Sequence, residues 1–204
     1  MKKRILSLIL AIVLVFGAAI IPSVGAEAAG KNTTLSLKNK SVDVTFVIAK
    51  DKRDAAAKDL NKILGITVKK NSKFVIKLNG KRYQATNKNG NITVAGMKLT
   101  EFVKSRSELT DKTELTIKAN FRNIFRLMSL SGKTASFKYE IKVGKASIKN
   151  AKITKGKKMT FTGNGTKYTA TIKGEKVILK GNHKNDKFVK NMIKAGVVGK
   201  ATVK

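Results

Sequence analysis

The chain uses one segment twice. Asn79-Gly80-Lys81-Arg82-Tyr83-Gln84-Ala85-Thr86 returns 85 positions later as Asn164-Gly165-Thr166-Lys167-Tyr168-Thr169-Ala170-Thr171. The match reaches outward, with Lys70, Lys73, Lys88 and Gly96 opposite Lys155, Lys158, Lys173 and Gly181, and with Ile92 and Val94 opposite Val177 and Leu179. After a one-residue slip, Phe102-Val103-Lys104 meets Phe188-Val189-Lys190, and Thr116-Ile117-Lys118 meets Thr202-Val203-Lys204. The second half reads as a copy of the first.

Asn-Gly is the pair best suited to a tight turn with positive φ at both central residues, and here it lies between alternating apolar residues, the strongest short-range signal for a hairpin. Phe74, Ile76 and Leu78 precede the first turn, and Tyr83 and Ala85 follow it. A second turn, at Asn87 to Asn91 or at Gly174-Glu175, leads into Ile92-Thr93-Val94 or Val177-Ile178-Leu179. Each copy is thus expected to be at least a three-stranded meander.

Around the meanders the periodicity alternates between two and 3.6 residues. Lys31 to Lys40 reads as a flexible start or a short edge strand, and Val42 to Ile48 as a half-buried strand. Asp51 to Leu64 has a helical stripe of Ala56, Leu60, Ile63 and Leu64, with Gly65 placed for a left-handed cap. Further helices are expected at Thr100 to Leu109, with a Lys104–Glu108 pair, at Phe121 to Leu130, and at Asp186 to Ala195 with Phe188, Val189, Met192 and Ile193 inward. Ala135 to Val143 is the clearest strand. The expected fold is α+β: antiparallel sheets with a few short amphipathic helices, built as two tandem repeats of strand-helix-strand-meander-helix-strand. The divisions are residues 1–26, an export leader; 27–40, a polar segment; 41–118, repeat 1; and 119–204, repeat 2.

The hairpin segments 74–94 and 159–179, each an apolar strand, Asn-Gly, Tyr, Ala-Thr and a further strand, resemble segments of the Ig-like repeats of secreted bacterial surface proteins. That resemblance implies a β-sandwich serving as an adhesive or spacer module, without catalytic residues.

The first 26 residues have the parts of a secretory signal: Lys2, Lys3 and Arg4, an apolar run from Ile5 to Ile21, then Val24-Gly25-Ala26 for signal peptidase. Cleavage there leaves enough chain for one mid-sized domain or two of about 85 to 90 residues. There is no cysteine, and the one proline leaves with the leader. The expectation is a secreted, Gram-positive protein without disulfides and with no integral membrane span after the leader is removed.

Charge narrows the function. The leader carries three of the 44 basic residues and none of the 12 acidic ones, so the mature chain holds 41 against 12 and a net charge of +29. Only six of the 44 are arginine, and lysine is a hydrated point charge without the planar fork that reads one phosphate or base. Self-repulsion on this scale favours anions that collect on the surface. The lysines expected to point outward, and therefore the candidate polyanion-binding residues, are Lys77, Lys81, Lys88, Lys138, Lys142, Lys173, Lys176, Lys180, Lys187, Lys190 and Lys194.

Catalytic chemistry finds little footing. His183 is the only histidine, in a polar turn, so a nucleophile pair would have to be built on His183 alone and a multi-histidine metal site has no material. Gly132-Lys133-Thr134 mimics the end of a phosphate loop but has Leu127 where the first glycine is required. A glycosidase pair would have to come from Glu101, Glu108, Asp111, Glu114 and Glu140, which lie among lysines. The expectation is a secreted, non-enzymatic protein, without cofactor or metal, that binds teichoic acid, acidic polysaccharide or extracellular DNA. Its alternative is a structural or adhesive matrix subunit self-associating through its meanders, with a wall-polymer hydrolase further behind.

Overall fold

A computed structural model describes residues 31–106, 111–124, 135–154 and 158–204. Outside these lie the leader, the end of the helix predicted to reach Leu109 with its Glu108, the part of the helix predicted beyond Ile124, and Gly132-Lys133-Thr134.

Both Asn-Gly turns form as the sequence requires, with positive φ at Asn79, Gly80, Asn164 and Gly165. The first joins β3 (Ser72–Leu78) to β4 (Lys81–Lys88), which continues into β5 (Asn91–Val94) and the two-residue β6 (Met97–Lys98). The second joins β11 (Lys158–Gly163) to β12 (Thr166–Lys173), followed by β13 (Lys176–Leu179). Each turn asparagine also holds a neighbouring strand. Asn79 Oδ1 accepts the Glu114 amide at 2.8 Å from β7 (Lys112–Asn120), and Asn164 Oδ1 accepts the Ser147 amide at 3.2 Å from β10 (Ala146–Thr154).

The remaining strands are β1 (Thr33–Leu37), β2 (Ser41–Ala49), β8 (Ala135–Ser136), β9 (Tyr139–Val143) and β14 (Val198–Val203). Every described pairing is antiparallel, and the strands join into one sheet ordered β14-β1-β13-β12-β11-β10-β9-β2-β7-β3-β4-β5-β6, with β8 on β10. This overturns the expected α+β fold of two tandem repeats: the protein is mostly antiparallel β, in one continuous sheet. The segments that were to close the two units go to different places. β7 lies between β2 and β3, whereas β14 reaches the sheet only through β1. The likeness of Thr-Ile-Lys to Thr-Val-Lys is the alternation of any half-buried strand, and alternation does not choose a partner.

β1 is likewise paired on both sides, Leu35 facing Val177 of β13 and Ala201 of β14. The segment expected as a flexible start or an edge is interior.

One face of the sheet carries the core, a continuous cluster including Leu35, Phe46, Ile76, Leu115, Ile141, Phe161 and Leu179. Residues 31–204 form one compact unit around it. Among the described residues, α1 (Arg53–Thr67), α2 (Leu99–Arg106) and α3 (Lys187–Lys194) add to this face, with helical residues at 121–124. α3 buries Phe188, Val189 and Met192, but Ile193, expected inward, is 40% exposed.

α1 runs past the expected stop. Gly65 is inside the helix and caps nothing, because the backbone of Gly90 lies against it: a Cβ there would stand 2.4 Å from the Gly90 carbonyl oxygen. Fully buried Asn87 completes this contact, donating from Nδ2 to the Gly65 and Val68 carbonyls at 3.2 and 2.9 Å and accepting the Gly90 amide at 2.8 Å. The corresponding residue of the second meander is Ile172. Gly65→Ala forces a methyl against immobile backbone and is expected to cost about 1–3 kcal/mol. Asn87→Leu strands buried carbonyls at a similar cost. Urea unfolding of both variants checks this, and wild-type midpoints would show the helix–turn contact to be dispensable.

Candidate functional site

The outer face of the sheet is lysine and threonine. Of the eleven candidate lysines, ten are exposed and Lys142 is half-buried. Their surroundings differ. At the middle of the sheet the acidic residues gather: Lys142 Nζ lies 3.2 Å from Glu114, and Lys149 lies 3.4 Å from Glu140. Lys142 is therefore locally neutralised. Lys77 stands on β3 opposite Arg82, Lys81 and Lys88 bound β4, and Lys138 lies between β8 and β9. Lys187, Lys190 and Lys194 follow one another along α3.

At the β12-β13-β1-β14 end the register lines the charges up. Lys173 faces Lys176, Lys176 faces Ser36, and Ser36 faces Lys200. Adjacent strands lie about 4.8 Å apart, so this row crosses about 14 Å of surface. The parallel row beside it is Thr171, Ile178, Thr34 and Thr202. Apart from Thr171, these rows line, together with Lys204, a shallow groove of about 770 Å³. Glu175 is the acidic residue in its lining, and it is ion-paired with Arg122. Lys173 and Lys176 are thus like charges directly opposite across a two-residue turn, an arrangement that costs stability until an anion bridges it.

Of the candidates, the fold brings Lys173 and Lys176 into this groove, with Lys180 directly after the end of β13. Lys200 and Lys204 belong to it and were missed. Gly199-Lys200-Ala201-Thr202 does alternate, which gives their outward direction, but their neighbours follow only from the insertion of β1.

His183 serves the backbone. Its Nδ1 is 2.9 Å from Asp186 Oδ2, its Nε2 is 2.8 Å from the Lys180 carbonyl, and its amide donates to Thr33 Oγ1 at 2.6 Å. Thr33 Oγ1 in turn donates to the Gly181 carbonyl at 3.0 Å, so the turn is fastened to the start of β1. Of the acidic residues raised as a hydrolytic pair, Glu108 lies outside the described residues, and Glu114 and Glu140 flank Val47 in one row across β2, each occupied by a lysine. Glu101 lies 3.9 Å from Lys98, and Asp111 is exposed. Among the described residues no group of three or more His, Cys, Asp or Glu is placed to hold a metal. None of the described helices is long and apolar enough to cross a membrane.

Comparison of the chain with protein-family models, with curated proteins and with solved structures finds no match. The reading of the site rests on its own chemistry.

Two phenols mark how firmly the core beneath this face is closed. Burial pushes the Tyr168 hydroxyl up, helped by the Asp186 carboxylate that accepts its hydrogen bond at 2.9 Å. Burial also pushes Tyr139 up, with the Asp59 carboxylate adding to it. Both folded-state values lie above the ordinary 10.0, so folding keeps protons that the unfolded chain loses above that pH. The stability these two phenols contribute is fully present below about pH 10 and is lost as pH rises beyond it. Ultraviolet titration should show Tyr139 and Tyr168 ionising later than a free phenol, and Tyr168→Phe should flatten the alkaline loss of stability. Ionisation of all three tyrosines near pH 10 in the folded protein would contradict the burial.

Proposed function

We propose that this is a secreted, non-enzymatic protein that binds anionic polymers of the cell envelope or extracellular matrix, teichoic acid, acidic polysaccharide or extracellular DNA, through its outer lysine face. The observation that carries this is the row Lys173, Lys176 and Lys200 beside a band of hydroxyls, where the nearby carboxylate, Glu175, is already held by Arg122. A phosphate or sulfate laid across the row relieves the opposition of Lys173 and Lys176 and receives hydrogen bonds from Ser36 and the threonines. Lysine suits repeated point charges on a flexible polymer better than one planar group. The other exposed lysines, Lys77, Lys88 and Lys187 among them, supply the long-range field that gathers polymer to the surface.

Assembly by strand addition has less to draw on. β6 is two residues long, and β14 presents Gly199 and a charged Lys200 at the other end, next to a register shift at Ser36/Leu37. Short, charged or irregular edges are the ones that resist pairing with another chain.

The test is binding to purified wall polymer or duplex DNA across a salt series. Affinity should fall steeply with salt, and replacing Lys173, Lys176 and Lys200 by Gln should lower the slope on duplex DNA by about 2 to 3, near 0.9 per lost phosphate contact. Lys142→Gln should change it little. Retention that is indifferent to salt, or equal for the triple variant and wild type, would remove the reading.

A further inference from the structure

The sheet is interrupted near its middle. β9 and β10 pair from Val143↔Ala146 to Ile141↔Ile148, and then the ladder parts. β9 continues against β2 alone, through Glu140↔Val47 and Tyr139↔Ile48. β10 shifts register between Lys149 and Lys152 and turns to β8, Lys152 facing Ser136, with the Phe137 amide bonded to the Ala151 carbonyl at 2.8 Å. Asn150, at the shift, has φ of 52°, a left-handed conformation that asparagine tolerates better than most residues. Bulges of this kind gather where a strand is re-aimed beside a site.

The fork borders an open recess of about 570 Å³. Val47, Ala49, Ala151 and the half-buried ring of Phe137, edge-on to Tyr139 at 5.6 Å, give it an apolar lining. Lysines stand around it. Lys149 is held by Glu140 and Lys52 by Asp51, whereas among the described residues Lys112, Lys138 and Lys152 have no ion pair. An apolar recess with a few convergent charges is the form of a small-ligand site, and the volume lies in the usual range for one. The polymer groove, by contrast, has no aromatic residue in its lining.

The geometry points to a binding site for a small aryl anion in the fork between β9 and β10: a flat apolar body on Phe137 and Ala49, with a phosphate, sulfate or carboxylate between Lys138, Lys152 and Lys112. This site stands apart from the polymer groove and does not depend on it. It also gives Lys138, which the polymer reading leaves isolated, a local task.

Isothermal titration of the full chain with naphthyl phosphate tests it, against inorganic phosphate, which lacks the body, and naphthol, which lacks the charge. Naphthyl phosphate should bind once per chain and at least about tenfold more tightly than either. The double variant Lys138→Gln/Lys152→Gln should lose about tenfold, while Lys173→Gln/Lys200→Gln stays at the wild-type value. Amide shifts on adding naphthyl phosphate should centre on Phe137, Ala49 and Ala151. Inorganic phosphate binding as tightly as naphthyl phosphate, equal losses in the two double variants, or shifts centred on Lys173 and Lys176 would each overturn the assignment.

Discussion

The link between β1 and β2 is three residues long, Lys38 to Lys40, and the rest of the architecture answers to it. In the sheet these two strands are separated by β13, β12, β11, β10 and β9. Laid flat, six strand spacings would put them about 29 Å apart. The link spans at most about 14 Å. The sheet must therefore curl until the Leu37 end of β1 meets the Ser41 end of β2. Contacts at that junction follow: the Leu37 amide bonds to the Glu175 carbonyl at 2.9 Å, Asn39 bonds to Asn120, and Arg122 pairs with Glu175. Curling turns one face inward as a shared core and leaves the other to lysine and threonine.

That division also governs the charge. The 12 acidic residues are too few to offset 44 basic ones, so where they sit decides which lysines remain open. Glu114 and Glu140 neutralise the middle of the outer face, and Glu175 is spent on the curl junction. The β12-β13-β1-β14 end is left with aligned cations. The ion pair that helps close the roll thus also removes the carboxylate nearest the lysine row.

Local pattern was legible in the sequence, and non-local pairing was not. Asn79-Gly80 and Asn164-Gly165 announced both hairpins, and the Ala56, Leu60, Leu64 stripe announced α1 and its buried face. Duplication, however, suggested equivalence where the fold makes none. Asn87 bonds to the end of α1 while its counterpart Ile172 is plain core, a difference of one residue that records against which meander α1 ends. At the candidate site, the outward direction of Lys173 and Lys176 could be read from alternation. Their union with Lys200 and Lys204 could not, because it is made by five residues from the other end of the described chain. The register shift near Asn150 left no sequence signal beyond an asparagine among lysines.

The seating of β1 between β13 and β14 bears on how the molecule is made. Thr33–Leu37 is the earliest described strand and its two neighbours are the latest, so the ladders that seat it span nearly the whole chain. Contacts of such long sequence separation close slowly, since the intervening loop must be confined before they repay it. A polypeptide delivered from its β1 side would hold β1 unpaired until β13 and β14 had followed it.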